Sequence, residues 1–158
     1  AQRAIDLGAT GVVAGALTPS GRFDTDFWET LTVRLGGGRC VAHRAFDLVP
    51  QPQEELERLI SYGTRRVLTS GGAASAWLGR ERLRQLVQWS AGRIEVLPAA
   101  GIDSDHVASL LKATGCDQIH GTFRRTVLDP GKPVAAADYP RLDLERLKRV
   151  RAVLDRLS

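Results

Sequence analysis

His43, Arg44 and Asp47 lie within five residues of one another, in the run HRAFD, where an apolar stretch that begins at Cys40 gives way to a loop. A histidine with a carboxylate in reach suits a general base, or a metal ligand whose ring is fixed by the acid. Residues along a strand alternate between faces, so His43 shares one with Val41, and Asp47 is expected to reach its ring nitrogen from the loop. The competing reading is a satisfied core histidine beside an Arg44–Asp47 salt bridge that fixes the loop. His120, which ends another apolar run and is followed by Gly121, is the second histidine at such a position. His43 and Asp47 are therefore the candidate catalytic pair, His43 and His120 the candidate metal ligands, and Arg44, His120 and Gly121 candidate ligand contacts.

A different chemistry is written in TSGG, Thr69 to Gly72, and in the turn that ends at Gly101. Successive backbone amides at a glycine-bearing turn ahead of a helix form a cradle for an anion. Thr69, Ser70, Gly71, Gly72 and Gly101 are thus candidate contacts for a phosphate or carboxylate. Lysine occurs only at Lys112, Lys132 and Lys148, none at a strand end, which argues against Schiff-base chemistry in this chain. His106, at the start of a helical pattern, reads as a surface residue, and Asp103 or Ser104 as the cap of that helix.

These residues are carried by a repeated unit. Apolar, β-branched runs at 11–17, 40–46, 66–70, 94–98 and 117–121 predict five strands. Patterns of helical spacing at 23–35, 54–62, 78–89 and 105–113 lie between them, and a further helix is predicted over 142–157. Strands alternating with helices of this length predict an α/β fold with a parallel sheet. The polar residues collect at the C-terminal ends of the strands and no GxGxxG follows the first, which favours part of a TIM-type (β/α)8 barrel over a doubly wound sheet. Residues 128–140, with three prolines, are expected to form a surface loop.

Composition sets outer bounds. Of 158 residues, 43% are hydrophobic and 25% charged, globular values, and no apolar run is long enough to span a bilayer. The net charge of +4 comes from scattered arginines interleaved with acids, as on solvated helix faces, without the aromatic interleaving of a nucleic-acid surface. Two cysteines, Cys40 and Cys116, imply a reduced cytoplasmic chain and no disulfide framework.

Taken together, GVVAGALTPSGR at 11–22, HRAFD at 43–47, RVLTSGG at 66–72 and HGT at 120–122 resemble, in order and spacing, the CutC copper homeostasis family. The resemblance implies one TIM-type barrel domain over 1–158, with the last five strands present and the N-terminal strands absent. Two unpaired edges would follow, and with them self-association into a homo-oligomer. It implies copper as the cofactor and a metal or small anionic ligand at the barrel rim. Cu(I) selects soft thiolate or thioether donors, yet there is no methionine, and both cysteines precede or begin their strands, far from the rim. A barrel isomerase or hydrolase acting on a phosphorylated small molecule, with His43 as base, is the alternative. A non-catalytic assembly module is the third, resting on the tryptophans of the helical segments.

Overall fold

The computed structural model describes residues 1–36, 38–127 and 139–157. Short helix α1, Gln2–Asp6, precedes strand β1, Val12–Ala14, and helix α2, Thr25–Leu35. Strand β2, Cys40–Ala42, runs into a single 3-10 turn at Arg44–Leu48 and then helix α3, Pro52–Ser61. Strand β3, Arg66–Thr69, helix α4, Arg80–Ser90, strand β4, Glu95–Pro98, and helix α5, Val107–Thr114, follow. The chain ends in strands β5, Arg124–Val127, and β6, Tyr139–Leu142, and helix α6, Leu144–Asp155.

The expected α/β architecture with a parallel sheet is present. β1 to β4 are parallel and lie side by side in chain order, paired at Val12 with Cys40, Ala42 with Val67 and Thr69 with Pro98. The strand order contains no reversal of the kind that marks a doubly wound sheet. Over the described residues the sheet is open, and no closed barrel forms.

The fifth predicted strand contracts to one parallel bridge between Ala99 and His120, held by the His120 amide donating to Pro98 O at 2.9 Å. The expected loop at 128–140 is also corrected at its end. Tyr139 and Pro140 belong to β6, which pairs antiparallel with β5 in a separate two-stranded ribbon, while 128–138 lie outside the described residues. Pro140 is compatible with a strand because a two-stranded ribbon has only edges.

The two faces of the sheet differ. Cys40, Ala42, Val67, Thr69 and Val96 are buried on one face, against helix residues such as Trp28, Leu56, Leu59, Leu83 and Leu86. Each fully buried leucine contributes about 1.5–3 kcal/mol relative to exposure, so this helix-side face is the core. Val13, Val41, Leu68 and Leu97 alternate onto the other, inner face, which is open enough to leave Val13 61% exposed. Arg66 and Glu95 are cross-strand neighbours on that inner face and form an ion pair.

Candidate functional site

The alternation of faces decides where the HRAFD residues go. His43 follows Ala42 on the inner face, half-buried, as its spacing from Val41 predicts. Its imidazole lies against Gly15 beyond β1, where an added Cβ would come within 2.5 Å of His43 Cε1. Glycine at 15 is therefore a requirement of close approach. His43 also caps the 3-10 turn, its Nδ1 accepting from the Ala45 amide at 3.0 Å. That bond leaves Nε2 as the nitrogen that carries the proton in the neutral ring.

Asp47 does not reach His43. The 3-10 turn swings its carboxylate to the helix side of the sheet, among the ends of β3. There Oδ1 accepts from Thr69 Oγ1, from the Ser70 amide at 2.9 Å and from the Gly72 amide at 3.1 Å. Oδ2 accepts from Arg44 Nε at 2.7 Å and lies 3.0 Å from Ser70 Oγ. Only 8% of the Asp47 side chain is exposed. Burial by itself would raise its carboxyl, but the Thr69 hydroxyl, the Arg44 guanidinium and the amides of Gly72 and Ser70 outweigh that and hold it below the ordinary aspartate range.

At TSGG the donors expected to meet an outside anion, the Thr69 hydroxyl and the Ser70 and Gly72 amides, are directed at the chain's own Asp47 carboxylate. Gly71 and Gly72 both take left-handed φ, 73° and 74°, and an added Cβ at Gly71 would meet Gly79 O at 2.5 Å. Arg44 completes the group by donating from Nη2 to Ser70 Oγ at 3.0 Å. This is the loop-fixing salt bridge foreseen as the competing reading of HRAFD.

The turn after β4 is built differently. A cavity of about 310 Å³ lies at the same rim, between that turn and the segment from His120 to Arg124. Arg44, Arg124 and Arg146 line it together with His120, and among the described residues no carboxylate does. Arg146 Nη2 donates to Ile102 O at 3.2 Å, while the Arg124 guanidinium has no hydrogen bond or ion pair among the described residues. Leu68, Ile102 and Phe123 supply an apolar wall.

Two of its lining residues carry backbone strain. Ala100 has φ 76° and Phe123 φ 44°, each costing about 1–3 kcal/mol without glycine's freedom. An added Cβ on Gly121 would fall 2.5 Å from Phe123 Cζ, so the phenyl ring lies against that glycine. Gly101 is needed beside Ser75, whose Cβ stands 2.9 Å from where its own would be.

His43 caps a turn, and His120 is exposed at the cavity edge. His106 is exposed as expected, and it stacks on Trp77 with ring centroids 5.0 Å apart. Asp103 accepts from the amides of Asp105 and His106 ahead of α5, close to its expected capping role. Arg146 had no local signal, since it reads as part of a solvated helix face. Gly15 likewise looks like any small residue after a strand.

The donor set does not suit Cu(I). Among the described residues no group of three His, Cys, Asp or Glu side chains is placed to share an ion. Cys40 and Cys116 are buried, and burial pushes both thiols up, away from the thiolate a soft metal needs.

Comparison with known proteins gives a consistent result. The CutC family model matches residues 1–125. The family protein CutC of Xylella fastidiosa (strain 9a5c) is 36% identical over 152 residues, covering 92% of this chain and 57% of that protein. Its counterpart in Pasteurella multocida (strain Pm70) is 44% identical over 114 residues, 72% of this chain and 47% of that one. A crystal structure of CutC from Streptococcus agalactiae superposes with a TM-score of 0.72 at 28% identity, covering 76% of this chain and 59% of that one. The chain spans about half the length of the curated relatives it matches.

Proposed function

The chain belongs to the CutC family, and from that premise we propose that it forms the later strands of a (β/α)8 barrel whose C-terminal rim binds a small anionic ligand. Support for the barrel comes from four parallel strands in chain order, with a fifth neighbour begun at His120. The anion reading is carried by one observation: Arg44, Arg124 and Arg146 line a single cavity with no carboxylate in its wall among the described residues. Arg44 is paired with Asp47, but the Arg124 and Arg146 guanidiniums have no acid partner among the described residues, and such groups at a rim favour an acceptor brought from outside.

Copper homeostasis stands in the description of the Streptococcus agalactiae relative. We extend it to this chain as a biological role and not as a metal site made by these residues, whose donors do not suit Cu(I). His43 and His120 are each open to a ligand only singly. His43 offers only an Nε2–H donor, which has no lone pair for a metal, because Nδ1 accepts from the Ala45 amide.

Isothermal titration at low salt, with malonate and sulfate as probes, tests the reading. The unaltered chain should bind both, and the double substitution Arg124→Ala with Arg146→Ala should weaken each by about tenfold or more, the effect of losing charge-assisted bonds of about 1.5–3 kcal/mol. Absence of binding in the unaltered chain, or equal affinity in the double variant, overturns it.

A further inference from the structure

We infer that one face of the β5–β6 ribbon is a docking surface for single-stranded nucleic acid, with phosphates on Arg125 and Arg141 and a base against Tyr139. The inference is independent of the cavity, because Arg124, which lines the cavity, alternates onto the other face of the ribbon.

The distribution of charge is the first observation. Residues 124–158 hold nine of the 22 basic side chains and five of the 18 acidic ones, a net +4 that equals the charge of the whole chain. Residues 1–123 are neutral in sum. Such asymmetry between two parts of a chain points to an anionic partner at the charged end.

The register of the ribbon is the second. Arg125 stands opposite Arg141 and Val127 opposite Tyr139, so alternation places these four on one face. Arg125 and Tyr139 are far apart along the chain, which is why the sequence shows no aromatic interleaving; antiparallel pairing interleaves them in space. Arg125, Tyr139 and Arg141 are exposed. Among the described residues the Arg141 guanidinium has no hydrogen bond or ion pair. Arg125 has only the neighbourhood of Asp143, shared with exposed Arg149 of α6, and that carboxylate already accepts from the Arg146 amide.

The third is that the ribbon lacks cover. All of β6 is exposed, as are Arg124, Arg125 and Thr126 of β5. A two-stranded ribbon is marginal by itself in water, and opposed arginines weaken it further. Phosphates laid across Arg125 and Arg141 remove that repulsion.

The mixture of side chains selects the class of partner. Guanidinium forks match phosphates, and an exposed aromatic ring gives a base a surface to stack on. A lipid surface asks for apolar residues segregated from the cations, whereas Tyr139 and Val127 share their face with both arginines. An acidic polypeptide would occupy the arginines and leave Tyr139 without a flat partner.

Fluorescence anisotropy of the full chain with a labelled oligothymidylate of about 20 nucleotides, longer than one such site needs, tests the inference. The competing probes are a duplex of the same length, polyglutamate and phosphatidylserine vesicles, all at one low ionic strength. The single strand should bind more tightly than each of them. Arg141→Ala should weaken it and lower the slope of log affinity against log salt by about 0.7, the share of one phosphate contact on a single strand. Arg84→Ala, which removes the same charge from an exposed position on α4, should leave affinity and slope nearly unchanged. Tyr139→Ala should cost about fivefold or more, the loss of one stacked base. If Arg141→Ala does not fold, judged by circular dichroism, Arg141→Lys serves, keeping the salt slope while losing affinity with the fork. No binding of the single strand overturns the inference, as does binding of any competing probe that is equally tight or tighter. Equal losses in the Arg141 and Arg84 variants, or undiminished binding in Tyr139→Ala, also overturn it.

Discussion

Two turns at the same rim follow buried parallel strands, and each contains two consecutive residues with left-handed φ, Gly71 with Gly72 after β3 and Ala100 with Gly101 after β4. The first presents its hydroxyls and amides to Asp47, so the chain supplies the anion. The second borders a cavity that Arg44, Arg124 and Arg146 line from other segments, with no acid in its wall among the described residues. A glycine-bearing turn is thus not a ligand site by virtue of its donors. The deciding question is whether the fold brings its own acceptor.

The largest effect that tests this contrast is Asp47→Ala. It strips the acceptor from Thr69, Ser70 and Gly72 at a position whose side chain is 8% exposed, and leaves Arg44 without its carboxylate. Orphaned buried donors and a broken partly buried pair place the loss at about 3 kcal/mol in urea unfolding at neutral pH. Asp47→Asn adds the pH dependence. Because the folded carboxyl is held low, its stabilisation is fully present above the unfolded value near ~3.9 and is lost as pH falls through the lower folded value. The Asn variant should therefore flatten the acid limb of the stability curve. A variant as stable as the parent, with an unchanged acid limb, would mean the β3 cradle is as vacant in energy as the β4 one, and the contrast would fail.

The helices and the first four strands were legible because their periodicities are strong and their buried faces continuous. Errors arose where a single turn changed direction. The alternation rule placed His43 correctly on the inner face, but it carries no information about Asp47 once the 3-10 turn at Arg44–Leu48 begins. That turn sends the acid to the opposite side of the sheet, which is why the expected His–Asp pair is absent. The β6 run YPRL contains a proline and an arginine and has no apolar alternation, so nothing local marks it as a strand. Arg146 depends on which turn of α6 meets the rim, a fact of packing that no spacing within the helix encodes.

An intermediate effect separates the two faces. Gly15→Ala drives a methyl into the His43 ring, forcing the imidazole aside and with it the acceptor of the Ala45 amide. Crowding of this kind costs about 1–3 kcal/mol. Because the disturbance is on the inner face, the variant should keep the parent's acid limb, which belongs to Asp47 on the other face. A Gly15→Ala protein whose acid limb flattens like that of Asp47→Asn would show that the two groups are coupled after all.

The smallest effect bears on whether the β4 cavity attracts anions by contact or by general field. In the β5–β6 ribbon Arg125 stands directly opposite Arg141, both exposed, a like-charge pair that disfavours the ribbon. Arg141→Glu turns it into an opposite-charge pair, and thermal unfolding at low salt should show a gain of about 0.2–1 kcal/mol that shrinks as salt is added. Arg141 does not line the cavity, whereas Arg124, one residue from its cross-strand partner, does. If the cavity holds its ligand by contact, Arg141→Glu should lower anion affinity far less than Arg124→Ala. An equal loss in the two variants would mean that the ribbon's overall positive field does the work, and that the second turn differs from the first in charge alone rather than in having a site.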